Sequence, residues 1–208
     1  MAGTCGRARW PGKLASSLAT PDPLWLTTLP ADVLRRQVVS TTLAGILHGG
    51  ILPPIMGVAK QAEFPMFVKS LNWPQEFASR VYMSPDDLPT LDGSTPVLVS
   101  TVMRFTREFR FFCLRNTPIT WSPYSRGLEG MLDTQTSRGD ERSLQRCLDW
   151  LTGLLPGLGL PNAVVVDVGI TAYGGDPAIV EANPAWCSGI YQCDPAKVLD
   201  VLAGCVHA

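Results

Sequence analysis

Between positions 164 and 183 the chain reads VVVDVGITAYGGDPAIVEAN, and its alternation of apolar with other residues predicts two strands joined through a Gly-Gly-Asp-Pro turn. In the first strand Val164, Val166 and Val168 take one face and Val165, Asp167 and Gly169 the other, which sets Asp167 on the less apolar face. In the second, Ile179, Glu181 and Asn183 share a face. A turn centred near Gly174 brings Asp167 opposite Glu181, with side chains roughly 5 Å apart and Asn183 one diagonal step away. Two ionised carboxylates that close repel unless a positive charge lies between them. Mg2+ or Mn2+ fits such a gap, because both take hard oxygen ligands from carboxylates and amides and complete their shells with phosphates and water. A one-residue slip would send Glu181 to the other face and leave an ordinary solvated hairpin.

The same reading along the rest of the chain gives a mixed order of elements. Leu29-Pro30 followed by Ala31, Val33, Leu34 and Val38 predicts a short helix with proline in its first turn, and residues 43–54, rich in glycine and proline, read as loop. Phe67-Val68-Lys69 and residues 79–82 are short β-like runs, and residues 84–88 form a capped helical turn. Residues 97–102, 107–114 and 119–125 predict an antiparallel meander with a turn at Arg115-Asn116-Thr117-Pro118. A helix follows, with Asp140 as N-cap and Leu144, Cys147, Leu148, Leu151 and Leu155 on one buried face, broken at Pro156-Gly157. After the hairpin, Asp194-Pro195 opens a last helix through Val198, Leu199, Val201 and Leu202. Strands, one helix, a hairpin and a helix make an α+β fold.

Composition narrows the function classes. The 208 residues include 46% hydrophobic ones, enough for a real core. Seventeen basic and eighteen acidic residues give a net charge of −1, so no global charge recruits nucleic acid or an anionic membrane. No run approaches the roughly 20 apolar residues that span a bilayer. The six cysteines form no CxxC pair and the histidines are His48 and His207, a composition that argues against zinc and for a reduced, cytoplasmic setting. Cys187 and Cys193 read as two buried thiols beside the hairpin. Residues 1–23 carry Arg7, Arg9 and Lys13 with no acid before Asp22, and lack the apolar stretch of a secretory signal.

Two further positions carry candidate chemistry. In REFRFF, strand alternation puts Glu108 and Arg110 on one face and Phe109 and Phe111 on the other. A guanidinium there can clamp a phosphate through planar, bidentate hydrogen bonds, or can simply pair with glutamate at the surface. Lys69, at the end of its strand, can neutralise a phosphate or stay solvated.

Taken in order, the strand lysine Lys69, the 97–102 strand VLVSTV, the Glu108-Phe109-Arg110 strand and the closing Asp167…Glu181-Ala182-Asn183-Pro184 resemble the ATP-grasp superfamily, and in particular its small domains of uncharacterised substrate. The phrases WSPYSR (121–126) and EANPAWCSGIY (181–191) add to the match, which covers roughly residues 64–203. The resemblance implies an ATP-grasp fold of two α+β lobes whose antiparallel sheets hold ATP between them. It divides the chain into a shortened pre-ATP region (1–58), with residues 24–38 as its remnant, a small ATP-binding lobe (59–96) and a C-terminal lobe with the metal site (97–208).

It also assigns roles. Lys69 and Arg110 would meet the nucleotide phosphates, and Val99, Ser100 and Thr101 would lie by the adenine and ribose. Asp167, Glu181 and Asn183 would hold Mg2+ (or Mn2+), and Arg126 would bind a substrate carboxylate or phosphate. The implied activity is ligation: a small carboxylate attacks the γ-phosphate of ATP, and the acyl phosphate is captured by an amine or thiol. The alternative is a catalytically silent relative that binds nucleotide or protein. The sequence after Lys69, SLNWPQEF, lacks the basic residue that the family usually offers there, and the tryptophans Trp73, Trp121 and Trp186 could serve an interface or pack inside. Nothing in the chain fixes its oligomeric state.

Overall fold

The computed structural model describes residues 18–48, 52–55, 58–60, 64–72, 75–125 and 138–206. The chain forms two compact units: Pro23–Met103, and Arg104–Ala208 together with the residues ahead of Pro23. In the first of these one sheet joins strands drawn from residues 38–101. Its strands are β1 (Val38–Thr42), β4 (Met66–Ser70), β5 (Arg80–Tyr82) and β6 (Pro96–Thr101), in the order β1-β6-β4-β5. β2 (Leu52–Ile55) and β3 (Val58–Lys60) pair separately.

Residues 24–38 are therefore part of this unit. Helix α1 (Ala31–Leu34) stops at Arg35, whose φ of 53° is left-handed, so it does not reach Val38. The run Val38-Val39-Ser40-Thr41-Thr42 is rich in β-branched residues, which suit a pleated strand better than a helix, and it pairs with β6 from Val38↔Ser100 to Thr42↔Pro96. Helix α2 (Leu43–Leu47) replaces the start of the expected loop, because the Thr42 side chain accepts the Gly45 N–H and caps it. Leu43 and Ile46 of α2 close a core with Met66, Val68, Val97, Val99 and Tyr82. Strand alternation then leaves Phe67 and Lys69 on the opposite face of β4.

The second unit is built on β7 (Phe105–Leu114), β8 (Thr117–Ser125), β9 (Ala163–Thr171) and β10 (Pro177–Pro184), in the order β10-β9-β7-β8. The β7–β8 turn is tighter than expected: Arg115 and Asn116 take φ of 49° and 61°, the two positive angles of a two-residue hairpin. Thr117 and Pro118 already belong to β8, and proline is tolerated there because β8 is an edge strand. β9 is inside the sheet and every one of its residues is buried, so the face expected to be less apolar is as dry as the other.

Helix α3 (Arg138–Leu154) begins ahead of Asp140, which is thus in its first turn and not its cap. Cys147, Leu151 and Leu155 are buried. In α4 (Pro195–Ala203) Asp194 caps through the N–H groups of Ala196 and Lys197. Val198 and Val201 of this helix pack with Phe112, Ala163, Val165, Ala185 and Cys193. Trp121 lies 6.4 Å from Phe111, centroid to centroid, and Trp186 packs against the α4 core. Trp73 lies outside the described residues. Among the described residues no helix is long and apolar enough to cross a membrane.

Among the described residues five cysteines are free thiols, Cys187 half-buried and Cys113, Cys147, Cys193 and Cys205 buried. Burial raises the pKa of the last four from 9.0, that of Cys147 up to about 12 and that of Cys193 up to about 11. A raised pKa keeps the folded thiol protonated where the unfolded one has lost its proton, so stability falls as pH rises past 9. Cys113 and Cys147 should each contribute a slope of about 1.4 kcal/mol per pH unit above that point. Urea midpoints measured from pH 7 to 10.5 should be level at first and then fall; a level profile throughout would contradict this account.

Candidate active site

One row of residues crosses the larger sheet. Ser122 on β8 is opposite Arg110 on β7, Arg110 is opposite Asp167 on β9, and Asp167 is opposite Glu181 on β10. The last pairing depends on an irregularity. From Pro177 to Ile179 the strands pair as Pro177↔Ile170 and Ile179↔Val168, and then the register shifts so that Glu181, not Val180, meets Asp167. The bulge at Val180 thus places Glu181 in the row. Gly174 and Gly175, with φ of 81° and 67°, make the turn that starts this pairing.

Arg110 and Asp167 form a planar, two-pronged ion pair: Nε donates to Oδ1 at 2.9 Å and Nη2 to Oδ2 at 2.7 Å. Arg110 is 5% exposed and Asp167 0%. Nη1 donates to the Gly189 carbonyl at 3.3 Å. A guanidinium has five N–H groups, so two of those on Arg110 meet no acceptor among the described residues. The cation also faces the rings of Tyr124 and Tyr191, 4.4 and 5.2 Å from their centroids. Burial works against the Arg110 charge, but the hydrogen bonds and charge of Asp167 outweigh it and raise the pKa. Burial, then the charges of Asp167 and Glu181, raise that of Tyr124.

Asn183 joins the acids. Its Nδ2 donates to Glu181 Oε1 at 2.8 Å and lies 3.4 Å from Asp167 Oδ2, while its Oδ1 accepts from no described residue. The residue types are those a hard divalent cation takes. The Asn183 amide turns Nδ2 to both acids, and both Asp167 oxygens accept from Arg110, so a cation would need the amide rotated and would use the second lone pairs of Asp167. No cluster of three or more His, Cys, Asp or Glu exists among the described residues, so a cation here would depend on Asn183 and on oxygens from a ligand or water.

Lys69, Val99, Ser100 and Thr101 lie in the smaller unit. Lys69 is half-buried on β4, paired with Leu98, and shares its sheet face with Ser100. Ser100 is 3% exposed and its hydroxyl donates to the Thr101 carbonyl, while Thr101 Oγ1 accepts the Gln37 N–H. The Val99 side chain is in the apolar core and its main chain lies inside the sheet, between Val39 on β1 and Val68 on β4, so the structure leaves it no free group for a ligand. Arg126 lies outside the described residues. Tyr124, Gly189 and Tyr191 were not singled out from the sequence, although all three stand in the phrases WSPYSR and EANPAWCSGIY.

A family model of the ATP-grasp domain, the second family of its clade, matches residues 34–201. The chain belongs to the ATP-grasp superfamily. Three solved structures illustrate the likeness. N5-carboxyaminoimidazole ribonucleotide synthetase from Thermotoga maritima is 11% identical at a TM-score of 0.44, over 78% of this chain and 39% of its own. The RimK domain protein ATP-grasp from Sphaerobacter thermophilus is 17% identical at 0.50, over 88% and 63%. D-alanine–D-alanine ligase from Bacillus anthracis, complexed with ATP, is 12% identical at 0.51, over 93% and 70%. The ATP-grasp chain thus spans less than two thirds of the length of the first two. Comparison with curated proteins gave no match.

Proposed function

We propose that this ATP-grasp protein binds ATP with Mg2+ and acts as a carboxylate ligase through an acyl phosphate. The observation that carries this reading is the Arg110 guanidinium: it is buried and fixed on Asp167, keeps two N–H groups without a described acceptor, and lies in one row with the Glu181 carboxylate, which the Asn183 amide joins. Phosphoryl transfer needs few reacting protein groups, because positioning and charge neutralisation do most of the catalysis. Arg110 would bind the transferring phosphoryl group, and Lys69 would neutralise the other phosphates. Ser100 and Thr101, at the end of β6, would meet the adenine and ribose, with Val99 behind them in the sheet, and Arg126 a substrate carboxylate. Asp167, Glu181 and Asn183 would hold Mg2+, which when bound neutralises charge on the phosphate oxygens. The substrate would be a small carboxylate and the acceptor an amine or thiol. The D-alanine–D-alanine ligase likeness supports the reaction class.

Calorimetric titration with ATP, with and without Mg2+, tests this on the wild type and on Glu181→Gln. Binding should require Mg2+ and weaken by roughly 100-fold or more in Glu181→Gln, since a carboxylate ligand is lost without a core contact being removed. A folded wild type that binds no ATP would sink the nucleotide reading.

A second reading, nucleotide binding without turnover, is favoured by one observation. The guanidinium that would serve the phosphoryl group is only 5% exposed, with Tyr191 against it. ADP release in a screen of carboxylates separates the two: binding without any release selects the silent protein.

A further inference from the structure

Tyr191 has a backbone φ of 46°, in the left-handed region that bulky side chains avoid, and such a residue persists where its surroundings fix it. Here they do so on both sides. Two residues earlier the Gly189 carbonyl accepts from Arg110 Nη1 at 3.3 Å. One residue later the Gln192 N–H donates to the buried Ser122 hydroxyl at 3.0 Å. Between these points the Tyr191 ring meets the Tyr124 ring edge-on, with centroids 5.2 Å apart and planes at 73°, and the guanidinium occupies the corner that the two rings make. A Cβ at Gly189 would come 3.3 Å from Tyr191 Cε2 and 3.8 Å from Arg110 Nη1, so glycine there lets the ring fold back toward the cation. The Tyr191 hydroxyl has no hydrogen-bond partner among the described residues. What the ring contributes is its face, and it stands where a chain built only for stability would favour glycine.

We propose that Tyr191 is a positioning residue: with Tyr124 it holds the Arg110 guanidinium flat on Asp167, so that the two remaining N–H groups keep one direction for an incoming oxyanion. That the oxyanion is a phosphate of ATP rests on the function proposed above; the clamp itself does not. Ser122 is opposite Arg110 in the sheet and also anchors the segment after Tyr191, so one strand position fixes both the cation and its cover.

The test compares wild type, Tyr191→Phe and Tyr191→Gly. Phenylalanine keeps the ring; glycine removes it while relieving the backbone, so loss of function cannot be blamed on added strain. The first measurement is ¹⁵N NMR of the Arg110 side chain in nucleotide-free protein, assigned by through-bond correlation from its own side-chain protons. Wild type and Tyr191→Phe should show a slowly exchanging Nε–H and separate Nη1 and Nη2 signals. Tyr191→Gly should exchange about tenfold faster, with the Nη signals merged. Unchanged Arg110 signals in Tyr191→Gly, or their loss in Tyr191→Phe, would overturn the clamp. The second is Mg-ATP affinity, expected to weaken about tenfold in Tyr191→Gly and to stay within about threefold in Tyr191→Phe. Equal affinity in all three proteins would refute the positioning role. A wild type that binds no Mg-ATP would fail the nucleotide reading alone, and the NMR comparison would still decide the clamp.

Discussion

Replacing Asp167 with alanine should destabilise the larger unit by about 3–5 kcal/mol, because it strands a guanidinium that is 5% exposed and cannot move to water without opening the sheet. The loss comes less from the attraction removed than from the buried charge left behind, and this distinction has its own measurement. In the double variant Arg110→Met with Asp167→Leu no charge is stranded, so urea unfolding should show most of the stability restored. If the double variant is as unstable as Asp167→Ala, the pair contributes through geometry that apolar residues cannot supply. Because Asp167→Ala perturbs the fold, its effect on nucleotide binding is ambiguous, whereas Glu181 is the acid of the row that can be neutralised without stranding Arg110.

Phe112→Ala should also destabilise by about 3–5 kcal/mol. Phe112 is 0% exposed and packs with Val165, Ala185, Val198 and Val201. It shares the Arg110 face of β7, two residues on. Truncation would open a cavity beneath the chain that leads from β10 to α4, the segment holding Gly189 and Tyr191. Phe112→Leu, which retains most of the volume, should lose far less. Urea unfolding of the two variants measures the difference, and equal losses would mean that ring shape, not cavity volume, sets the effect.

Much of the larger unit was legible because its signals are local. The alternation in 107–114 and 119–125, the turn glycines and the Asp194-Pro195 helix start each depend on neighbours in sequence, whereas 97–102, expected in one meander with the first two, pairs with β1 and β4 in the smaller unit. The opposition of Asp167 and Glu181 was legible for a less direct reason. The turn is centred half a residue ahead of Gly174, as Pro177↔Ile170 shows, and the bulge at Val180 returns the missing residue, so two departures cancel at the row that matters. The ion pair was not legible. Arg110 and Asp167 are 57 positions apart, and only the strand order β10-β9-β7-β8, which alternation does not encode, makes them neighbours. From alternation alone Arg110 is a ligand clamp or a partner of Glu108, and nothing in that pattern signals that its first obligation is to Asp167. In the smaller unit Thr42 hid α2 among glycines and prolines, because a cap acts through one side chain and leaves no periodicity to read.

Residues 18 and 19 meet the other end of the described chain: Leu18 bridges Val206, and the Ala19 N–H donates to the Cys205 carbonyl at 2.7 Å. Pro23–Met103 is continuous in sequence, and can close its core as soon as β6 has been synthesised. The larger unit has to wait for its final helix before Leu18 and Ala19 find their partners. On a ribosome the two would mature in a fixed order, the inner one while the outer one still exposes the apolar surface that α4 will cover. Late substitutions near Val201 or Cys205 should therefore show themselves first as aggregation during synthesis, with the earlier unit already native.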